Sequence, residues 1–395
     1  MVNAPGLPKM GAVTPAKALT AAAPSPASPS TARAINDRLA LGLLQSEGPL
    51  TATQLKHLTG LSRPSVADLV ERLAEAGLIE VVGESGEQRR GPNARLYGIV
   101  ARRAHLAALD VRTDSATAVV TDLLGLPLAE VSLPVDAVEE AVDRLAALTR
   151  EVGADPLHTV VVGAPGLVSP DSGQLGDTLR LPSWHRDLVA ALRRRLPAKV
   201  VVENETNLAA LAEQRIGAAR DVDSFVLLWL GAGVGAAVVL DGRLRRGASG
   251  GAGEIGFLPV PGTAALPSDT DCGGGFHALA GRRAVTALAV EHGFRGPAEE
   301  AVAGAAGEAF LDALAERLAI GAAAVAAVLD PGCVVLAGEL GHAGGPALAA
   351  RVAARLGTLT PVTTEVRATV LGGAAVLAGA RLAAREEAQA VLFGG

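Results

Sequence analysis

The stretch Gly231–Phe257 reads GAGVGAAVVLDGRLRRGASGGAGEIGF. It follows the apolar run Phe225–Leu230, continues as an apolar run over Ala236–Leu240, turns at Asp241-Gly242 and ends in a loop carrying one carboxylate, Glu254. Asp-Gly beside apolar runs predicts a hairpin, because both residues accept the positive φ that a two-residue turn requires. Glycines this dense leave backbone amides open to a ligand, yet ordinary turns are glycine-rich as well. A second feature, a degenerate copy, decides. Leu106–Val111, a loop, Ala116–Asp122 and the turn at Leu124-Gly125 repeat the order strand, loop, strand, glycine turn. Helical periods follow each copy, at Ala137–Val152, Asp187–Leu196 and Thr206–Arg215, then at Ala278–Glu291, Ala309–Leu329 and Pro346–Leu356. A duplicated α/β half implies two lobes around a central cleft.

These residues resemble the ROK family of repressors and sugar kinases. The likeness continues at Ala164-Pro165-Gly166-Leu167-Val168, Leu181-Pro182-Ser183-Trp184, Val202-Glu203-Asn204-Glu205-Thr206-Asn207 and Leu336-Ala337-Gly338, in the family's order, from about Arg103 to the end. It implies an α/β fold of the actin-like, hexokinase type, a duplicated ribonuclease H-like domain. That domain is expected over 101–395, one lobe being about 101–222 plus the C-terminal helix and the other about 223–375.

Composition bounds the rest. The chain has 395 residues, enough for two or three units. Its net charge of −6 excludes wholesale polyanion binding, so any nucleic-acid contact needs a local basic patch. Of its two cysteines, Cys272 and Cys333, the second lies in the apolar run Cys333–Ala337. No disulfide framework is visible, and a reducing, cytoplasmic setting is expected. No long uninterrupted apolar run reads as a membrane span. Residues 1–30 are rich in Ala, Pro and Ser and read as a tail; their prolines interrupt any export signal.

Residues 31–100 read as a winged helix-turn-helix. Ala34–Gln45 carries Ile35, Leu39, Leu43 and Leu44 at helical spacing, and Thr51-Ala52-Thr53-Gln54 forms a capping box. After the turn at Gly60, Ser62 caps a helix that buries Val66, Leu69, Val70 and Leu73. Strands at Leu78–Val82 and Leu96–Val100 would flank a wing. The candidate DNA contacts are Ser62, Arg63, Pro64 and Ser65, with Arg72 one turn on, and Arg89 and Arg90 in the wing for a narrow minor groove. Small helical domains also serve as protein-interaction modules; the placement of the arginines, and the family's repressors, favour DNA.

The resemblance also marks losses. Family kinases hold ATP phosphates on two glycine hairpins, and an aspartate takes the proton from a sugar hydroxyl. Here Arg112, Thr113 and Asp114 stand where those kinases have Gly-Gly-Thr, Ala232 replaces a threonine, and Glu205 replaces the aspartate. Side chains would crowd the backbone cradle, Asp114 would repel phosphate, and a displaced base costs rate. Glu205 also suits the helix dipole as a plain N-terminal acid. The family's zinc histidine is Phe257, and Cys272 with His277 cannot complete a four-ligand site, so no metal or other cofactor is expected. What remains for a polyol is Asn204, Glu205 and Glu254, with His277 or Asp177, although His277 equally reads as an ordinary surface histidine. The expectation is a cytoplasmic, sugar-responsive repressor of carbohydrate uptake or metabolism genes that is not an enzyme. It would be a homodimer or dimer of dimers on double-stranded DNA with an inverted repeat, answering to a sugar or sugar phosphate. The alternative is a sugar kinase with an attached DNA-binding domain.

Overall fold

The computed structural model describes residues 29–85, 94–176, 182–268 and 274–394. The N-terminal unit contains α1 (Pro29–Ser46), β1 (Leu50–Thr51), α2 (Ala52–Thr59), α3 (Arg63–Glu75), β2 (Ile79–Ser85) and β3 (Ala94–Ile99). Its first helix starts inside the stretch read as tail, with Pro29 in the first turn, where the missing amide costs nothing. The capping box is present, with the Thr51 amide and Gln54 side chain at 2.9 Å. Gly60 ends α2 with φ 70°, and Ser62 caps α3 by accepting the Ser65 amide at 3.3 Å. Val66, Leu69, Val70 and Leu73 are buried. β1 adds a third strand to the wing, pairing Leu50 with Tyr97; two residues are too short to show periodicity.

The rest of the chain repeats one sheet plan twice. In the first lobe, β4 (His105–Val111), β5 (Ala116–Asp122) and β6 (Pro127–Leu133) run antiparallel; after α4 (Val138–Glu151), β7 (Leu157–Ala164) joins parallel to β4. Then α5 (Trp184–Arg195) leads to β8 (Lys199–Asn204), parallel to β7, and to α6 (Glu205–Ile216). The second lobe has β9 (Phe225–Leu230), β10 (Val234–Leu240) and β11 (Arg243–Arg245) antiparallel. It continues with α7 (His277–Ala280), α8 (Arg282–Glu291), the short α9 (Ala298–Glu300), α10 (Glu308–Leu329), β12 (Cys333–Ala337), α11 (Gly338–Leu359) and β13 (Glu365–Ala368), and the chain closes with α12 (Ala375–Leu392). The sheet orders β6-β5-β4-β7-β8 and β11-β10-β9-β12-β13 are the same plan. The helical run Ala278–Glu291 is broken at Gly281, which is extended at ψ 155°, and Pro346–Leu356 is part of a longer helix bent at Gly345.

Period-2 alternation assigns the two faces of each sheet. Leu106 and Ala108 face inward with α6 and α12, whereas Ala107 and Leu109 face outward with α4 and α5. In the second lobe Leu227 and Trp229 face α6 and α12, and Val226 and Leu228 face α8, α10 and α11. Both α6 and α12 therefore lie in the layer between the sheets. Their crossing is close: a Cβ on Gly379 of α12 would strike the Leu208 carbonyl of α6, and one on Gly163 of β7 would lie 2.7 Å from the Leu208 side chain. At the hairpin, Asp241 (φ 55°) and Gly242 (φ 71°) form the turn joining Leu240 to Arg243.

Gly379→Ala is expected to destabilise the chain by about 1–3 kcal/mol through overpacking. Gly357→Ala, at a helical position with open space around it, is expected to be neutral or stabilising by up to about 1 kcal/mol. Urea unfolding of both variants checks the contrast; equal effects would show that the helix crossing is not tight.

Candidate functional site

The cleft is built where β4 ends and α6 begins. Asp110, the penultimate residue of β4, is 7% exposed. Its Oδ2 accepts from Arg112 Nε at 3.1 Å and Nη2 at 3.0 Å. The same guanidinium donates to Glu339 Oε1 at 3.1 Å and to the Gly373 carbonyl at 3.0 Å. Glu339 stands in the first turn of α11 and Gly373 just before α12, so Arg112 ties the first lobe's hairpin to the second lobe and to the head of the closing helix. In the sequence Arg112 reads only as an obstruction to the glycine cradle; its partners across the cleft, Glu339 and Gly373, lie more than 220 residues away and leave no local signal.

Glu205 opens α6 beside this cluster. Its carboxyl is pushed from the ordinary 4.5 to about 7, first by burial, then by the negative charges of Asp110 and Glu339, with Arg112 opposing. Burial also raises Asp110 against the pull of Arg112. A second ion pair crosses from the loop after β11: Arg246 Nε donates to Glu203 Oε2 at 2.7 Å. Glu203 is 8% exposed, and its other oxygen accepts from the Asn204 amide at 3.0 Å and Asn207 Nδ2 at 2.9 Å. Neither Glu203 nor Arg246 stands out in the sequence as a cleft bridge, because the pairing joins the end of β8 to the loop after β11, 43 residues on.

Asn204, expected to hold ligand, is instead occupied structurally. Its Oδ1 accepts the amides of Thr206 at 2.9 Å and Asn207 at 3.3 Å, and its Nδ2 donates to the Gly166 carbonyl at 3.0 Å. It is the N-cap that fixes Glu205 in place. His277, read as an ordinary surface histidine or a ligand contact, is half-buried. Its Nδ1 accepts the Val234 amide at 3.1 Å, which requires the proton on Nε2, and its ring meets Phe257 edge to face at 5.4 Å. It braces the β9–β10 hairpin. Glu254 is exposed on the glycine loop, whose Gly250 sits against the Val168 carbonyl and Pro170 of the first lobe. Asp177 and Cys272 lie outside the described residues.

In the N-terminal unit, Ser62, Arg63, Pro64 and Ser65 are exposed at the start of α3, and the Ser62 and Ser65 hydroxyls lie 2.8 Å apart. Arg72 departs from expectation. Its guanidinium pairs with Asp37 of α1 at 2.5 Å and with Asp68 one turn earlier, so it joins two helices of the unit rather than standing free for a phosphate. Arg89 and Arg90 lie outside the described residues. α1 in turn rests on α12: Gln389 donates to Gln45, and Leu41 and Leu44 share a core with Ala384 and Ala388.

Comparison with known proteins follows this division. The ROK family model matches residues 106–387, and the MarR family model matches residues 35–91. The N-acetylglucosamine repressor of Escherichia coli O6:H1 is 29% identical over 241 residues. That match covers 57% of this chain and 57% of the repressor, so the chain aligns with just over half the length of this curated relative. Among solved structures, a ROK family transcriptional regulator, a homolog of the E. coli MLC protein, superposes with a TM-score of 0.73 at 21% identity, covering 92% of this chain and all of that one. A ROK hexokinase from Thermus thermophilus superposes with a TM-score of 0.60 at 28% identity, covering 72% of this chain and 99% of that one.

A carboxyl that titrates near 7 when folded and near its ordinary value when unfolded binds its proton more tightly in the fold. Stability contributed by the protonated form is therefore lost as pH rises through about 5 to 7. Relative to Glu205→Gln, the parent chain is expected to lose on the order of 2 kcal/mol between pH 5 and 8. Parallel pH profiles of thermal unfolding for the two proteins would refute this environment for Glu205.

Proposed function

The chain belongs to the ROK family, whose model matches residues 106–387, and from that premise we propose that it is a sugar-responsive transcriptional regulator without kinase activity. The observation that carries this reading is Arg112. Phosphate transfer needs open backbone amides and room for an anion at the end of β4. That place holds a guanidinium bonded to Asp110, Glu339 and the Gly373 carbonyl. A nucleotide would have to break this bridge while facing carboxylates of its own sign. The winged helix supports the other half of the reading, with exposed Arg63 at the head of α3 available to base edges or phosphates of a major groove. The regulator would work in the cytoplasm as a dimer or dimer of dimers on an inverted repeat, repressing genes of carbohydrate uptake or metabolism. Among the described residues no helix is long and apolar enough to cross a membrane.

Coupling from cleft to DNA has a physical carrier. Arg112 touches Gly373 immediately before α12, and the far end of α12 carries α1 through Gln389 and the shared alanine-leucine core. A ligand that favours one lobe angle would displace this helix and with it the winged helix. A tenfold preference between two lobe arrangements would shift DNA affinity by about 1.4 kcal/mol per site.

One observation favours the kinase reading: Glu205 retains a carboxyl at the family's base position, titrating near the pH at which a general base works. ATP-dependent phosphorylation of hexoses or amino sugars by the purified chain separates the two, and turnover above background would overturn the regulator-only reading. Genome-wide mapping of bound DNA should find inverted repeats beside carbohydrate genes. Arg63→Ala should weaken specific binding by about 1–3 kcal/mol if Arg63 reads a base, and weaken all sequences alike if it holds a phosphate. Footprints unchanged in that variant would remove α3 from the DNA surface.

A further inference from the structure

The two ends of α6 are fastened to the second lobe by different means. At its far end the fastening is buried. Glu213 is fully buried and accepts from Thr369, itself 6% exposed and just past β13. Arg367 of β13 donates to the Ala218 carbonyl at 2.7 Å, two residues beyond the helix. At the head of α6 the lobes meet through two ion pairs that reach water. Arg246 of the second lobe, its side chain 50% exposed, gives Nε and Nη2 to Glu203 at the end of β8, at 2.7 and 2.6 Å. Arg112 of the first lobe reaches Glu339 at 3.1 Å, the two side chains 31% and 30% exposed. The pairs run in opposite senses, each lobe supplying one cation and one anion. Beside them the glycine loop closes on the first lobe, where a Cβ on Gly250 would strike the Val168 carbonyl, so backbone rests on backbone.

Separation at the two ends would have unequal costs. Parting the far end would strip a fully buried carboxylate of a donor and leave the Ala218 carbonyl without its guanidinium, a loss that water does not make good. Parting the head returns Arg246 and Glu339 to solvent they already touch, and ion pairs this exposed are weak and screened by salt. The buried carboxylates at the head also keep donors when the pairs part. Asp110 retains Arg112, and Glu203 retains the Asn204 amide at 3.0 Å and Asn207 Nδ2 at 2.9 Å.

We propose that the head of α6 is an ion-pair gate and its far end the hinge. Arg246–Glu203 and Arg112–Glu339 hold the lobes together at the cleft mouth. The gate opens when both part, while the bonds of Glu213 and Arg367 stay made, a hinge motion about one end of a single helix. The gate consists of the chain's own charges, so it does not depend on the regulator reading or on what the cleft binds. Because the two pairs act side by side, removing one leaves the other to hold the lobes, and removing both releases them.

The test uses the full chain, with small-angle X-ray scattering for the radius of gyration and amide hydrogen exchange for the place of opening. The variants are Arg246→Gln, Glu339→Gln, the two combined, and Arg246→Lys, which keeps the charge. Each single Gln variant should scatter nearly as the parent does. The double variant should have a larger radius of gyration, and residues 247–254 should exchange severalfold faster than in either single variant. Exchange in the last turns of α6 and in β13 should stay that of the parent, which also shows that the fold is intact. Arg246→Lys should stay closed. In concentrated sodium chloride the parent should move toward the double variant, and the double variant should not respond. Parent-like scattering and exchange in the double variant would overturn the gate. So would Arg246→Lys loosening residues 247–254 as much as Arg246→Gln does, since packing and not charge would then hold the lobes. Faster exchange spread evenly over α6 and β13 would overturn the hinge. None of these outcomes touches the family or the regulator reading.

Discussion

The close crossing of α6 and α12 between two like sheets is the constraint on which the structure depends. Gly379 lies against the Leu208 carbonyl, and Gly163 leaves room for the Leu208 side chain, so the two helices share one closely packed layer between the sheets. Protein interiors packed at this density transmit displacement rather than absorb it. The start of α6 supplies Glu205 to the cleft, and the start of α12 lies beside Gly373, which Arg112 holds. The helices that hold the lobes together are thus also the helices that bring the cleft's polar groups to one place.

Arg112 changes the character of that cleft. A guanidinium half-withdrawn from water is stable only with carboxylates around it, and Asp110 and Glu339 come from different lobes. The bridge therefore replaces a space for anions with an internal ion pair, leaving one buried oxygen of Asp110 without a donor among the described residues. An aspartate-to-glutamate change at the family's base position, viewed alone, suggests only a shift of about one methylene. Buried in the cleft, with Asp110 and Glu339 adding to the effect, it becomes a carboxyl whose protonated form is favoured up to about pH 7.

Much of the fold was legible in the chain. The Asp241-Gly242 hairpin, the repeat at Leu106–Asp122, the Thr51–Gln54 capping box and the buried face Val66, Leu69, Val70, Leu73 all follow from spacing and turn chemistry, which are local. The ROK family and its two-lobed α/β fold followed from motifs in order, and family and fold comparisons agree with them. Less legible were β1, too short for a period, and the break at Gly281, where the backbone turns extended without a proline to announce it. The site was legible only in part. Asn204 looks like a polar ligand group in the sequence, yet its side chain caps a helix, and Arg72 looks like a free cation, yet it joins α1 to α3.

What the amino-acid sequence determined by itself is a set of short-range choices: most of the longer strands and helices, the main turns, and that one half is repeated; the resemblance to family kinases added that Arg112, Thr113 and Asp114 stand where those have Gly-Gly-Thr. Hydrogen bonds within four residues and alternation of apolar side chains are enough to encode these. Only the tertiary structure decided what fills the altered cleft. The bonds from Arg112 to Glu339 and Gly373 span 227 and 261 residues, and that from Arg246 to Glu203 spans 43. Charge pairing and desolvation at such separations depend on where the lobes meet, a quantity that no local pattern carries.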